Sequence, residues 1–134
     1  MRLNGHNLLA ILVAAIAIYL IEFVIFAVLI PPDQYMAFTG ITEAQVSANG
    51  WRMPIGIVMP LFAAIGLSLV IKWRNAPGMM GGVSTALWMA MLFAFGTSLY
   101  AFVYGANTTG YLPVNLGHFL VCYGVAGAIL GVWK

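Results

Sequence analysis

"LLAILVAAIAIYLIEFVIFAVLI", residues 8–30, carries one charged side chain, Glu22, in an otherwise apolar and aromatic run. A helix rises about 1.5 Å per residue, and about 20 apolar residues cross a bilayer's hydrocarbon core. The run is long enough to span. It also exceeds the core of about 7–15 residues that marks a secretory signal, so it reads as a retained helix despite the small residues of "VAAIA" and the nearby Arg2. Three comparable runs follow, at about 54–71, 79–104 and 112–133. Pro31-Pro32, Asn75-Ala76-Pro77-Gly78 and the 105–110 stretch separate them, and each is rich in turn-forming residues. The fold expected is all-α: one integral membrane four-helix bundle, with no room in its connections for a second domain.

Composition agrees with that reading. Of 134 residues, 63% are hydrophobic and 6% charged, whereas a soluble domain carries about 25% charged residues. Eight charged side chains, five basic and three acidic, are too few to cover a water-facing surface of this size, so lipid is the expected surroundings. The five cations are scattered along the chain, which argues against a nucleic-acid partner. A single cysteine, Cys122, excludes an internal disulfide.

The cations also set an orientation. Arg2, Lys72, Arg74 and Lys134 fall on one side of a four-span topology and Arg52 on the other. The positive-inside rule then puts both termini and the 72–78 loop in the cytoplasm. Trp73 and Trp133 fit an inner aromatic belt, and Trp51, Tyr104 and Tyr111 an outer one. In the outer 31–53 connection, Thr42 and Gln45 form a capping-box pattern and Gly50 a natural helix end, predicting a short interfacial helix. Pro54 suits a first helical turn, whereas Pro60 lies inside the second span and should kink it.

The closing stretch "VNLGHFLVCYGVAGAILGVWK" (114–134) resembles the final motif of a family of small membrane proteins catalogued as domain of unknown function 1761. The opening "AILVAAIAIYLI", the outer "GITEAQV", and the glycine-rich start and Trp88 of the third span extend the resemblance over nearly the whole chain. Members often carry a Trp-Tyr pair late in the first helix, where this chain has "IEFVIF". The resemblance implies four helices in a bacterial inner membrane and no established activity.

An ionised carboxylate at the bilayer centre costs about 3 kcal/mol on insertion scales, so Glu22 should face a partner or water. It lies about 12 Å below the outer end of its helix, and His118 lies about 9 Å below the outer entry of the fourth. Asn115, His118 and Cys122, at i, i+3 and i+7, share a helical face. With Tyr19 one turn before Glu22, the expected cluster is Glu22, Tyr19, Asn115 and His118. Such a cluster could be structural glue between two helices, or a site for a proton or small molecule. A zinc site using Glu22, His118 and Cys122 is the weakest reading, since the mixed set lacks the usual spacing. His6 and His118 lie near opposite membrane faces, which argues against axial haem ligation, and no other cofactor is implied. The methionines at 53, 59, 79, 80, 89 and 91 read as adaptable packing rather than a copper path.

Gly117, Gly124 and Gly131 recur every seven residues beside Gly127-x-x-x-Gly131, a pattern that permits close helix approach in lipid. It could serve contacts within the bundle, or between this chain and a partner. No nucleophile elbow, Walker loop or dinucleotide fingerprint is present. Four-span transferases that use glutathione match in size, but the charged Arg/Glu/His stretch they display is missing here. The leading expectation is action through helix contacts, as a homo-oligomer or an accessory subunit of a membrane complex. The competing one is small-molecule or proton binding or transport at Glu22 and His118.

Overall fold

The computed structural model describes every residue except Met1, Asn4, Pro77 and Lys134, and gives only the backbone of Arg2 and Leu3. Two of the sequence assignments, Lys134 as an inner cation and Pro77 as a breaker, therefore lie outside the described residues. Two short strands, β1 (Arg2–Leu3) and β2 (His6–Asn7), pair antiparallel and lead into α1 (Leu8–Phe23), which continues as a π-helical turn over Val24–Leu29. The side chain of Asn7 caps α1, accepting from the N–H groups of Leu9 and Ala10. Two short helices follow, α2 (Pro32–Thr39) and α3 (Glu43–Ala48). A 3-10 segment, Gly50–Ile57, then leads into α4 (Val58–Trp73). The third span runs through α5 (Gly78–Met89), a π turn at Ala90–Phe95 and α6 (Gly96–Val103); α7 (Tyr111–Val132) closes the chain. Four helical stretches, Leu8–Leu29, Gly50–Trp73, Gly78–Val103 and Tyr111–Val132, are long and apolar enough to cross a membrane.

The helix boundaries refine the expected pattern. Pro60 lies inside the apolar span Gly50–Trp73. The α-helix begins at Val58, so Pro60 occupies its first turn, where the missing N–H has no helical partner to lose. Gly50 stands where expected, at the C′ position just past the Asn49 cap of α3, and it opens the 3-10 segment. The capping box itself is present, with Thr42 Oγ1 accepting from Gln45 N–H and Gln45 Oε1 accepting from Thr42 N–H. Helix α2 was not foreseen, although Pro32 at its first position and Gly40 at its end announce it. Gly40 adopts φ +69°, and a Cβ there would sit 2.6 Å from that of Ala106, so glycine is required twice over.

The core occupies one half of the bundle, toward the chain termini. Ala10, Ile11, Ala14, Ala15 and Ile18 of α1 meet Ala64, Leu67 and Ile71 of α4, Ala86 of α5, and Cys122, Ala126 and Leu130 of α7. Helix α7 is central and packs against α1, α4 and α5. Its contact with α5 is backbone on backbone. A Cβ on Gly127 would lie 2.5 Å from the Ala86 Cβ and 2.6 Å from the Gly82 carbonyl oxygen; one on Gly131 would lie 2.5 Å from the Gly78 oxygen. A Cβ on Gly82 would strike the Gly127 oxygen. Gly78, Gly82 and Ala86, four apart, thus interleave with Gly127 and Gly131, a small-residue seam of the kind that lets helices associate in lipid.

Two of the four glycines expected to pack do not take part in this seam. Gly117 faces open space, and a Cβ on Gly124 would make only an ordinary 3.6 Å contact with Leu87. Gly131 stands against the α5 backbone and Gly124 against the Leu87 side chain of the same helix, so the close approach is confined to the end of the seam nearest the termini. Among the methionines, Met89 packs against the core, while Met53, Met59, Met79, Met80 and Met91 point outward.

The half away from the termini is built differently. Neither the Val24–Leu29 turn nor α6 buries a residue, and the Ala90–Phe95 turn buries only Ala90. Helix α2 lies across this end, held by Thr108 N–H donating to the Phe38 carbonyl at 2.8 Å.

Candidate functional site: a carboxylate–imidazole pair between two spans

The buried stripe of α1 steps through Ala10, Ala14 and Ile18, four residues apart. One further step is Glu22. The residue therefore inherits the inward direction of the core stripe, which is why a carboxylate at this position faces another helix. Tyr19 lies off that line and is 41% exposed, with no side-chain hydrogen bond among the described residues. It does not join the cluster. On α7, Asn115, His118, Cys122, Ala126 and Leu130 are all buried, so the face read from the sequence continues directly into the core.

The two stripes bring Glu22 Oε1 to 3.2 Å from His118 Nε2. The imidazole side chain is 9% exposed and the carboxylate side chain 31%, so the pair is sealed on the histidine side and open on the glutamate side. Phe26 meets the imidazole edge-on at 5.0 Å and Phe119 lies beside it at 4.7 Å. His118 Nδ1 is buried with no hydrogen-bond partner among the described residues. One turn deeper, Cys122 Sγ lies 4.0 Å from the Ile18 carbonyl oxygen. The donor atoms of Glu22, His118 and Cys122 all lie within 4.8 Å of one another.

An aromatic stack that sequence reading missed packs against the imidazole through Phe26. Phe26 packs edge-on against Tyr35 of α2, which packs edge-on against Tyr111 of α7; Phe38 lies 6.1 Å from Tyr111. Tyr111, expected in an outer belt, is half-buried in this stack. Recognising α2 as a helix would have exposed the signal, since Tyr35 and Phe38 are three apart and share a face. A polar cavity of about 230 Å³ lies at the opposite end among His6, Asn7, Ser68, Lys72 and Asn75, where His6 Nδ1 is 2.9 Å from Ser68 Oγ.

The helices and the buried polar pair define an all-α integral membrane bundle with a polar centre between its first and fourth spans. The chain belongs to the family described as "Protein of unknown function (DUF1761)", whose model matches residues 9–131. No curated protein and no solved structure matches it.

Proposed function

We propose that the protein binds a proton or a small cationic ligand at Glu22 and His118, taken up from the membrane face away from its termini. The observation that carries this is the 3.2 Å Glu22–His118 contact, open at the carboxylate and closed at the imidazole. Coupling between a carboxylate and an imidazole in a poorly solvated setting makes each sensitive to the other's charge. Among the described residues, the packed core beneath the pair is apolar apart from Cys122. A one-sided binding or sensing site is therefore better supported than a conducting one. Action through helix contacts, as a homo-oligomer or accessory subunit, drew on the glycine face of the fourth span. Helix α5 of the same chain occupies the Gly127 and Gly131 part of that face, which leaves that reading with less support.

Dicyclohexylcarbodiimide, an apolar reagent for carboxyl groups, tests the site. Mass spectrometry of treated membranes is expected to find the adduct on Glu22 and not on Asp33 or Glu43. Glu22→Gln should abolish it, and His118→Ala should increase it severalfold by freeing the oxygen that the imidazole now holds. An unreactive Glu22 in membranes first washed with a metal chelator, or steady proton flux through vesicles containing the protein, would overturn the proposal.

We place the chain in a bacterial inner membrane with both termini in the cytoplasm, on the strength of its cation distribution. Ser47→Cys should then react with an impermeant thiol reagent added to intact cells, and Asn75→Cys should not. The reverse pattern would invert the topology.

A further inference from the structure

We propose that Glu22, His118 and Cys122 together hold one divalent ion of the zinc class. The inference rests on the Glu22–His118 centre described above and names the class of its ligand. In a tetrahedral site with metal–nitrogen and metal–oxygen bonds of about 2.0–2.1 Å, neighbouring donor atoms stand about 3.3 Å apart. The Glu22 oxygen and His118 nitrogen already stand 3.2 Å apart. His118 and Cys122 are i and i+4 on α7, so both donors leave the same face one turn apart. The thiol's one polar contact, 4.0 Å to the Ile18 carbonyl, is weak enough to release. The three donor atoms need only draw inward from their present separation of at most 4.8 Å.

Charge favours the same assignment. A dication with one thiolate, one carboxylate and a neutral imidazole sums to zero, so the loaded site places no net charge in a low-dielectric interior. Sulfur and imidazole donors select zinc-class metals over magnesium or calcium, which prefer oxygen alone. Three protein donors leave a fourth position, and the partly exposed Glu22 puts it on the open side of the site. An open position is the arrangement of exchangeable or reactive zinc rather than of a closed structural site.

Cobalt(II), a spectroscopic stand-in for zinc, supplies the test, using the full chain in lipid nanodiscs. One equivalent should bind with tetrahedral visible bands and a near-ultraviolet sulfur-to-cobalt charge-transfer band, and zinc should displace it. Cys122→Ala should remove the charge-transfer band, while Glu22→Gln and His118→Ala should each weaken binding at least tenfold; circular dichroism confirms that each variant is folded. No binding, or an unchanged spectrum in Cys122→Ala, overturns the proposal. If cobalt fails to bind but the carbodiimide still finds Glu22, the metal is excluded and the carboxylate–imidazole centre stands. If both fail, the centre falls with it.

Discussion

Gly127→Val should loosen the α5–α7 seam and lower the stability of the purified protein by about 1–3 kcal/mol, the usual scale of overpacking. The added Cβ alone would stand 2.5 Å from the Ala86 Cβ and 2.6 Å from the Gly82 oxygen. One of those neighbours is backbone and cannot rotate away, so the helices must separate and lose the contacts that hold them in lipid. Gly82→Val should act alike from the opposite side, and the two together should do less harm than their sum, because a seam already opened has less left to lose. Thermal melts in detergent measure all of this. Gly117→Val is the control, since it carries the same change in helix propensity with nothing within 4 Å of the new Cβ. Equal melting shifts at 117 and 127 would show that propensity, not the seam, sets the effect.

His118→Ala should destabilise the wild type more than it destabilises Glu22→Leu, with a coupling of about 0.6–1.7 kcal/mol, the range found for polar pairs in membranes. Glu22→Gln should be milder than Glu22→Leu, since the amide keeps a hydrogen bond to the ring while removing the charge. The pair joins α1 to α7 in the half of the bundle that lacks a core, so few neighbouring contacts can compensate for its loss. A double-mutant cycle on the four proteins isolates the pairwise term. Strict additivity would show that the 3.2 Å contact carries no coupling energy.

The four spans were legible in the sequence because the demand of lipid on a helix is one of length and composition, both visible without neighbours. The Glu22–His118 contact was legible for a related reason: depth follows from counting residues along two antiparallel helices. Rotation about the helix axis was harder. Tyr19 shares the depth of the site but lies off the Ala10–Ala14–Ile18–Glu22 line, and only the packed structure shows which line faces inward. The glycines divide in the same way. A repeat of seven names a stripe, but which turns of it meet a neighbour depends on where α5 crosses. The aromatic stack was hidden because α2, a short helix at the membrane boundary, lacks the long apolar run that revealed the others.

The two π turns, Val24–Leu29 and Ala90–Phe95, bear on how such a chain changes over generations. A π turn closes its hydrogen bonds one residue later than an α turn, as Ile30 N–H does in reaching the Ile25 carbonyl at 3.0 Å. Each can therefore be read as a single inserted residue absorbed without breaking the span. The turns themselves bury nothing but Ala90, so an insertion there moves few buried side chains. The same insertion below Ile18 would turn Glu22 away from His118 and carry the α1 stripe off its partners. Length variation among relatives should therefore gather in the half beyond the site and stay out of the half that holds the core.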